Sequence, residues 1–322
     1  MAEFATLVER IERLLPKHPS EALEGCRELR GIALEKRKYD LFAWEEGLRG
    51  RGYLAVKDER LGRETVAGVL QWYRQRNLAD RGSLLMNAVG ADYYQLREYP
   101  KARIWLASAV RSAADAGAPE VLCKALFNLG RTDQQEGFLP SSRSYLEHAL
   151  RVSQQVASAP GRVQICFALG EVSMKLGSLR EAEGMFRAAG QLARNRQEWK
   201  AALQAAGSLA ELLCRQHRWE EAKALSEQSA AAARSRGMEL QLLLSLSSLT
   251  RVLVHLGEGE AAMSTGLEAV RRAESSGVGK RHPEVLEVYK YLAIASRNLY
   301  TDQEGAYRWY VKYRNALDGC HG

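Results

Sequence analysis

Proline is scarce in this sequence, and long runs of alternating β-branched residues are missing. The 322 residues include only seven prolines, whereas stretches rich in Ala, Leu, Glu and Arg recur along the chain. Strands favour alternating β-branched and aromatic residues, and helices favour unbranched ones. The composition therefore argues against a sheet and predicts an all-α fold.

A long apolar run is also missing, so nothing in the sequence reads as a membrane span. The N-terminal segment MAEFATLVERIERLLPK places Glu9 and Arg10 where a signal peptide needs an apolar core. This segment is expected to form an amphipathic helix instead. We therefore expect a cytoplasmic protein with no membrane partner.

Cysteine is sparse and widely spaced. Cys26, Cys123, Cys166, Cys214 and Cys320 lie more than forty residues apart. No pair has the spacing of metal ligands or of a redox motif, and an odd number argues against a disulfide framework. We expect small buried hydrophobic residues in a reducing compartment and no metal site.

No charge of one sign is concentrated on one segment. The net charge of +7 comes from 46 basic and 39 acidic residues that are interspersed along the chain. The only dense basic run, Lys36-Arg37-Lys38, is flanked by Glu35 and Asp40 and is interpreted as a solvated helix face. Nucleic-acid binders usually cluster their basic residues, so this class of partner is disfavoured.

Motifs of catalysis are missing too, since the sequence contains no HExxH, GxSxG or CxxC. The segment SGVGKRHP invites a phosphate-loop interpretation through Gly279 and Lys280. A Walker A loop also needs a Gly five residues before the Gly-Lys pair and a Ser or Thr after it. Glu274 and Arg281 occupy those positions, so the segment is interpreted as an inter-repeat loop. We expect no cofactor and no enzymatic activity.

What the sequence does contain is a forty-residue repeat, clearest in FALGEVSMKLGSLREAEGMFRAAG at 167–190. An apolar residue, mostly followed by a small one, forms an anchor that recurs in register: Val89-Gly90, Leu129-Gly130, Leu169-Gly170, Leu209-Ala210 and Leu249-Thr250. Small residues recur thirteen and twenty positions after each anchor: Ala102, Ser142, Ala182, Ala222 and Ala262, then Ala109, Ala149, Ala189, Ser229 and Ala269. Eight positions after the anchor, Gly137, Gly177 and Gly257 recur, with Arg97 and His217 in the other two units.

This pattern predicts stacked helical hairpins. The Gly ends a first helix in a left-handed conformation, and the small residues of the second helix allow close approach. A single hairpin cannot bury its apolar face, so the units must stack into a solenoid.

The repeat resembles the tetratricopeptide family, in a variant longer than the usual 34 residues. HEAT and armadillo repeats have a similar period but lack this series of Gly and paired Ala. The resemblance implies a right-handed α-α superhelix of about six to eight helical hairpins. We divide the chain into degenerate N-terminal repeats or a cap (1–81), five clear repeats (82–274) and an irregular sixth repeat with a C-terminal helix (275–322). Helices are expected in the first part at 2–15, 20–38, 41–55 and 61–77, and a one-residue slip is expected near Gly305-Ala306.

In this family the first helices of successive units line a concave groove. The resemblance implies that the groove presents positions five, two and one before each anchor and two, five and six after it. The peptide- or partner-binding residues expected from this rule are Asn87, Tyr94, Lys124, Asn128, Arg131, Gln135, Glu171, Lys175, Glu211, Arg215, Arg251, His255, Lys290 and Asn298.

The strongest part of this set is Lys124, Asn128 and Arg131, whose spacing places them on one helical face. Asn can donate and accept hydrogen bonds to a peptide backbone, while Lys and Arg bind carboxylates. Glu171 and Glu211 add negative charge in the next two units. A mixed-charge groove of this kind suits an extended peptide better than a nucleic-acid strand.

We therefore expect a non-enzymatic peptide- or protein-binding solenoid. The closing segment EGAYRWYVKYRNALDG resembles the last helices of tetratricopeptide sensor regions, which implies a bacterial regulatory or sensory role, as a stand-alone regulator or as a fragment of a larger one. The alternative is an assembly scaffold, a homodimer formed through the N-terminal helices. A nucleic-acid-binding regulator is the third and least favoured hypothesis.

Overall fold

The computed structural model describes residues 2–35, 39–156, 161–275, 282–299 and 301–318. Within these ranges the chain forms sixteen α-helices and no strand, which confirms the all-α prediction. The chain divides into two compact units, residues 1–161 and 162–322, and each unit holds four helical hairpins.

The first unit contains α1 (Ala2–Leu14), α2 (Pro19–Glu35), α3 (Tyr39–Ala55), α4 (Glu59–Gln75), α5 (Ala79–Gln95), α6 (Tyr99–Asp115), α7 (Pro119–Glu136) and α8 (Leu139–Gln155). The second contains α9 (Arg162–Lys175), α10 (Leu179–Asn195), α11 (Trp199–Arg215), α12 (Trp219–Ser235), α13 (Glu239–Leu256), α14 (Gly259–Ser275), α15 (Pro283–Leu299) and α16 (Gln303–Asp318). Each of the four helices expected in the first eighty residues is present, and within its described part each starts within two residues of the expected position.

The helices end at left-handed residues spaced every twenty positions. This conformation is found at Lys57, Asn77, Arg97, Gly117, Gly137, Gly177, Gln197, His217, Gly237 and Gly257. The prediction that Gly137, Gly177 and Gly257 end first helices is confirmed. Arg97 and His217 adopt the same conformation despite a steric cost of about 1–2 kcal/mol for a residue with a Cβ. Each repeat therefore consists of two halves of equal length.

The glycine of the anchor is required by packing. A Cβ on Gly170 would lie 2.6 Å from the ring of Phe186, sixteen residues later on the second helix of the same hairpin. In the fifth repeat the sizes are exchanged, since Thr250 follows the anchor and Gly266 stands opposite it. The same close approach joins Gly50 to Val66, Gly90 to Leu106 and Gly130 to Leu146. The Gly50 pair places α3 and α4 in the register of the later repeats.

The small residues of the second helices form the centre of the core. Ala102, Ala182 and Ala262 are fully buried, and so are their equivalents Ser142 and Ala222. Larger apolar side chains such as Leu106 and Leu146 fill the space beside them. The predicted role of the small residues in close helix packing is confirmed.

The last hairpin carries the expected one-residue slip. Leu292 is buried and lies against Gly266, as an anchor should. The left-handed residue after it is Thr301, nine positions past the anchor instead of eight. Ala306 is consequently the buried small residue of α16.

Some of the predicted features lie outside the described residues, namely Lys36-Arg37-Lys38, the loop residues Gly277, Gly279 and Lys280, and Cys320. The other four cysteines are buried, as expected, and none of them forms a disulfide within the described part of the chain. In the described ranges no helix is long and apolar enough to cross a membrane. The same ranges hold no group of three His, Cys, Asp or Glu side chains that could bind a metal ion.

Candidate functional site

The predicted binding residues all lie on first helices of the hairpins, but they divide between the two units. The first unit carries Asn87, Tyr94, Lys124, Asn128, Arg131 and Gln135 on α5 and α7. The second carries Glu171, Lys175, Glu211, Arg215, Arg251, His255, Lys290 and Asn298 on α9, α11, α13 and α15.

In the first unit the structure brings two of the predicted residues together. The Asn128 side-chain amide donates a hydrogen bond of 3.0 Å to the side-chain oxygen of Asn87 on the neighbouring first helix. The pair leaves the amide hydrogens of Asn87 and the side-chain oxygen of Asn128 for other partners. A donor and an acceptor of this kind match the two polar groups of a peptide unit.

The other predicted residues of the first unit are more dispersed. Lys124 and Gln135 are exposed on α7, and Arg131 is half-buried on the same helix. Tyr94 packs its ring 5.6 Å from that of Tyr99 at the edge of the core. Tyr94 is therefore held by its own hairpin, and its contacts are those of a packing residue.

An ion pair that the sequence interpretation missed lies on the first helices of this unit. Arg51 donates two hydrogen bonds, of 2.7 and 3.0 Å, to the carboxylate of Asp92, and it lies 3.5 Å from Glu12. The Arg51 side chain is only 11% exposed. Arg51 stands eighty residues before Arg131 and directly after Gly50, so extending the repeat search upstream of residue 82 would have found it.

The first unit also has an apolar cavity of about 550 Å³ between α1, α3 and the start of α5. Its walls include Phe4, Leu41, Trp44 and Tyr73. Arg81 reaches its rim, with the guanidinium 5.5 Å from the centre of the Trp44 ring. The lining is thus mainly aromatic and aliphatic, and its charged members are Glu9, Asp40 and Arg81.

The second unit contains a polar cavity of about 530 Å³, lined by the first helices α9, α11, α13 and α15. Glu211 and Arg251 line it, two residues that the sequence predicted. Its other polar lining residues include Gln204, Ser208, Ser247, Ser248 and Glu287. All of these stand five, two or one positions before an anchor or two after it, so the groove rule itself was the signal that locates them.

Serine side chains form much of the floor of this cavity, and they turn partly inward. Ser247 donates a hydrogen bond of 3.4 Å to the backbone oxygen of Glu284, and Ser245 donates one of 2.9 Å to that of Gln241. Small hydroxyl side chains at these positions leave room that a Leu or Phe would fill. The small side chains of Ser245, Ser247 and Ser248 on α13 therefore contribute to the open space of the cavity.

Charges in the cavity are partly compensated. Glu211 forms ion pairs with Arg251 on the next first helix and with Arg215 on its own helix, at 3.1 Å for the latter. Burial works to raise the pKa of Glu211, but the charges of Arg251 and Arg215 outweigh it and hold the pKa below its usual value. Glu211 is consequently ionised and paired, which does not suit a general base.

His255 lies beside the cavity and not in its lining. Its ring stacks on Trp219 at 4.3 Å between centroids, and Tyr291 lies at its other side, 6.1 Å away. Burial, followed by the positive charges of Arg251, His217 and Lys290, lowers the pKa of His255. The aromatic stack accounts for the position of this side chain.

The remaining predicted residues of the second unit do not converge. Lys175 is exposed and Glu171 is half-buried on α9. Lys290 pairs weakly with Glu287 at 3.6 Å, and Asn298 accepts a hydrogen bond of 3.1 Å from Arg297. The structure thus brings together Glu211, Arg215 and Arg251 but not the set as a whole.

Comparisons with known proteins support the fold. No protein-family model matches the sequence, and no curated protein matches it. Among solved structures, the apo form of RapI superposes with a TM-score of 0.73 at 11% identity, covering 98% of this chain and 85% of that one. A signal transduction ATPase with a tetratricopeptide repeat sensor from Pyrococcus horikoshii gives 0.65 at 12% identity, covering 99% of this chain and 54% of that one.

The quorum sensor NprR from B. thuringiensis, also in its apo form, gives a TM-score of 0.55 at 15% identity, covering 97% of this chain and 86% of that one. Identities this low show the fold alone. The superpositions confirm the resemblance that the repeat pattern predicted: this chain has the helical-hairpin fold of tetratricopeptide repeat proteins, and two of the similar solved structures are described as a sensor or as containing one.

Proposed function

We propose that the chain is a non-enzymatic binding module that holds an extended peptide, or an extended segment of a protein partner, against its first helices. The observation that carries this proposal is the polar cavity of the second unit. Three successive first helices, α11, α13 and α15, present hydroxyl, amide and charged groups to one space. An extended backbone offers one donor and one acceptor per residue, which such a surface can satisfy.

The similar solved structures support a sensory role. One is described as a quorum sensor and another as a protein with a tetratricopeptide repeat sensor. We infer that peptide binding by this chain serves regulation in the cytoplasm, where buried unpaired cysteines such as Cys166 and Cys214 stay reduced. The pairing of Glu211 with two arginines agrees with a role in binding rather than in proton transfer.

Gly207 offers a direct way to test the proposal. It lines the cavity, and a Cβ added there would meet no atom within 4 Å. Gly207→Trp should therefore fill the cavity without disturbing the core. The matched control is Gly184→Trp on α10, where the added Cβ is equally unobstructed and the residue is exposed outside the cavity.

The experiment compares what the wild-type chain and the two variants capture from an extract of the native cells, with mass spectrometry of bound peptides and proteins. Gly207→Trp should lose at least nine-tenths of the specific partner, while Gly184→Trp retains it. Equal capture by all three chains would refute binding in this cavity. A homodimer formed through residues 1–81 stays a separate prediction, which sedimentation of the full chain measures.

A further inference from the structure

The charged groups that line the polar cavity are unequal in sign. Glu211, Glu284 and Glu287 contribute three carboxylates, whereas Arg251 is the one cation in the lining. Glu211 and Arg251 form an ion pair with each other, so their charges largely cancel. The negative charge that is left belongs to α15, at the side of the cavity that faces α13.

The two carboxylates of α15 are poorly compensated within the described part of the chain. The Glu284 side chain makes no hydrogen bond or ion pair there, although its backbone N–H donates to the His282 ring at 3.3 Å. Glu287 has only Lys290 at 3.6 Å, and both of these side chains are close to half exposed. An exposed pair of this kind contributes little stability, so Lys290 is readily displaced.

The walls beside these carboxylates are suited to a hydrocarbon chain. Leu203, Leu244 and Met174 line the same cavity, and the ring of Tyr291 is largely buried at its edge. Lys and Arg side chains place their methylene groups against apolar surface and keep the charged end near polar groups. The cavity offers both kinds of surface.

We propose that this side of the cavity selects a peptide with a Lys or Arg side chain, whose methylene groups pack on Leu244 and whose cation pairs with Glu284 and Glu287. The inference rests on the proposed function, because it names the chemistry of the peptide bound in the same cavity. A charge-assisted hydrogen bond to a carboxylate is about twice as strong as a neutral one. An acidic side chain in the same place would face two carboxylates and be rejected.

Glu284 also lies in the first turn of α15, where a carboxylate favours the helix irrespective of any ligand. Glu260 occupies the first turn of α14, is exposed and does not line the cavity. Glu260→Gln is therefore a matched control for Glu284→Gln. A loss of peptide affinity common to both variants reflects the helix terminus, and a loss of affinity confined to Glu284→Gln reflects the cavity.

The test uses a displayed library of random heptapeptides selected on the full chain, followed by affinity measurement of the enriched peptides. We expect enrichment of Lys or Arg at one position and at least tenfold weaker binding to Glu284→Gln/Glu287→Gln, with Glu260→Gln unchanged. Replacing the enriched Lys by norleucine should weaken binding to the wild type tenfold and leave binding to the double variant unaffected.

Two results would overturn the proposal, and they differ in whether they also refute the peptide-binding function. Peptides whose binding is lost in Gly207→Trp but that show no preference for cations would refute the charge selection and leave the peptide-binding function standing. A selection that yields no peptide sensitive to Gly207→Trp would refute both.

Discussion

The two units use one repeat skeleton but surround two very different cavities. The cavity between α1 and α3 of the first unit, about 550 Å³, has mainly apolar walls, which include Trp44 and Tyr73, and three charged residues at Glu9, Asp40 and Arg81. The polar cavity of the second, about 530 Å³, is lined by serines, glutamines and carboxylates, together with Leu203, Leu244 and Met174. The repeat constrains the glycines and alanines that pack the helices, and it leaves the first-helix surfaces free to diverge. The chemistry of each cavity is therefore set by positions that the repeat does not constrain.

The units also differ in how they hold Arg51 and Arg251, which stand at the same position of the repeat. Arg51 donates two hydrogen bonds to Asp92 and one of 3.5 Å to Glu12, and the Arg51–Asp92 pair is mostly buried. Arg251 shares Glu211 with Arg215 and lies beside an open cavity. Both ion pairs join two first helices, but the side chains of Arg251 and Glu211 are 20% and 34% exposed, against 11% and 18% for Arg51 and Asp92.

The largest effect should follow from breaking the first of these pairs. Arg51→Met leaves Asp92 as an uncompensated, mostly buried charge and should lower the free energy of unfolding by about 3 kcal/mol. Arg251→Met should lower the free energy of unfolding by less, because Glu211 keeps its ion pair with Arg215 at 3.1 Å. Urea denaturation of both variants measures the difference, and equal losses would contradict the contrast between the units.

A second prediction concerns the skeleton that the units share. Gly170→Ala places a Cβ 2.6 Å from Phe186, so the second unit should lose about 2 kcal/mol. Gly207→Ala, on the cavity surface, should gain about 0.5–1 kcal/mol because Ala favours a helix and the added Cβ meets no atom within 4 Å. Thermal unfolding of both variants provides the comparison. A stabilising Gly170→Ala would show that the anchor glycine is not required by packing.

A buried acid should make the first unit sensitive to pH. Glu45 is fully buried, its two oxygens lack hydrogen bonds, and Arg49 lies 3.7 Å away. Burial raises the pKa of Glu45 to about 7. The folded state therefore holds this proton more tightly than the unfolded state, and stability should fall as the pH rises from about 4.5 through 7.

Glu45→Gln removes the proton-binding group, so the free energy of unfolding should change less with pH in this range. At pH 8 the variant should be more stable than the wild type by about 1–2 kcal/mol. Hydrogen exchange of amides in α2 and α3 at pH 6 and pH 8 reports the local effect. A variant that keeps the wild-type slope would show that Glu45 is ionised throughout this range.

The smallest predicted effect belongs to His255 in the second unit and has the opposite sign. Its pKa is lowered by burial and by neighbouring cations, so the unfolded state binds the proton more tightly. Stability should fall slightly as the pH drops below about 6.5, by less than the change expected for Glu45. His255→Gln should remove that fall, and NMR titration of the ring reports its pKa. A pKa at or above the usual value would contradict the prediction.

The sequence predicted most of the skeleton because packing and turn geometry recur in register. The anchors, the buried alanines and the left-handed glycines can be read from spacing alone. Arg51 and the Gly50–Val66 contact were missed because α3 and α4 keep the helix contacts of the repeat but not the residues that mark it in the sequence. A search for pairs sixteen residues apart, in which one residue is small and the other is large, would have extended the repeat upstream.

The candidate site was harder to predict because a cavity depends on several helices at once. The groove rule selected Glu211 and Arg251, which line the cavity, and with equal weight His255, which is not in the lining. Whether a side chain turns to the cavity, to a neighbouring ring or to an ion pair depends on the sizes of residues in other repeats. Ser247 and Ser248 shape the cavity by being small, a property that single-residue chemistry does not reveal.

The central claim is that the polar cavity of the second unit holds the partner segment. The most direct measurement places a photo-crosslinking benzoylphenylalanine at Gly207 and, as control, at Gly184, and identifies the crosslinked residues after irradiation in native cells. The account predicts that a peptide or an extended protein segment is attached at Gly207 and not at Gly184. Attachment at Gly184 alone, or none at Gly207 while the partner remains bound, would contradict it.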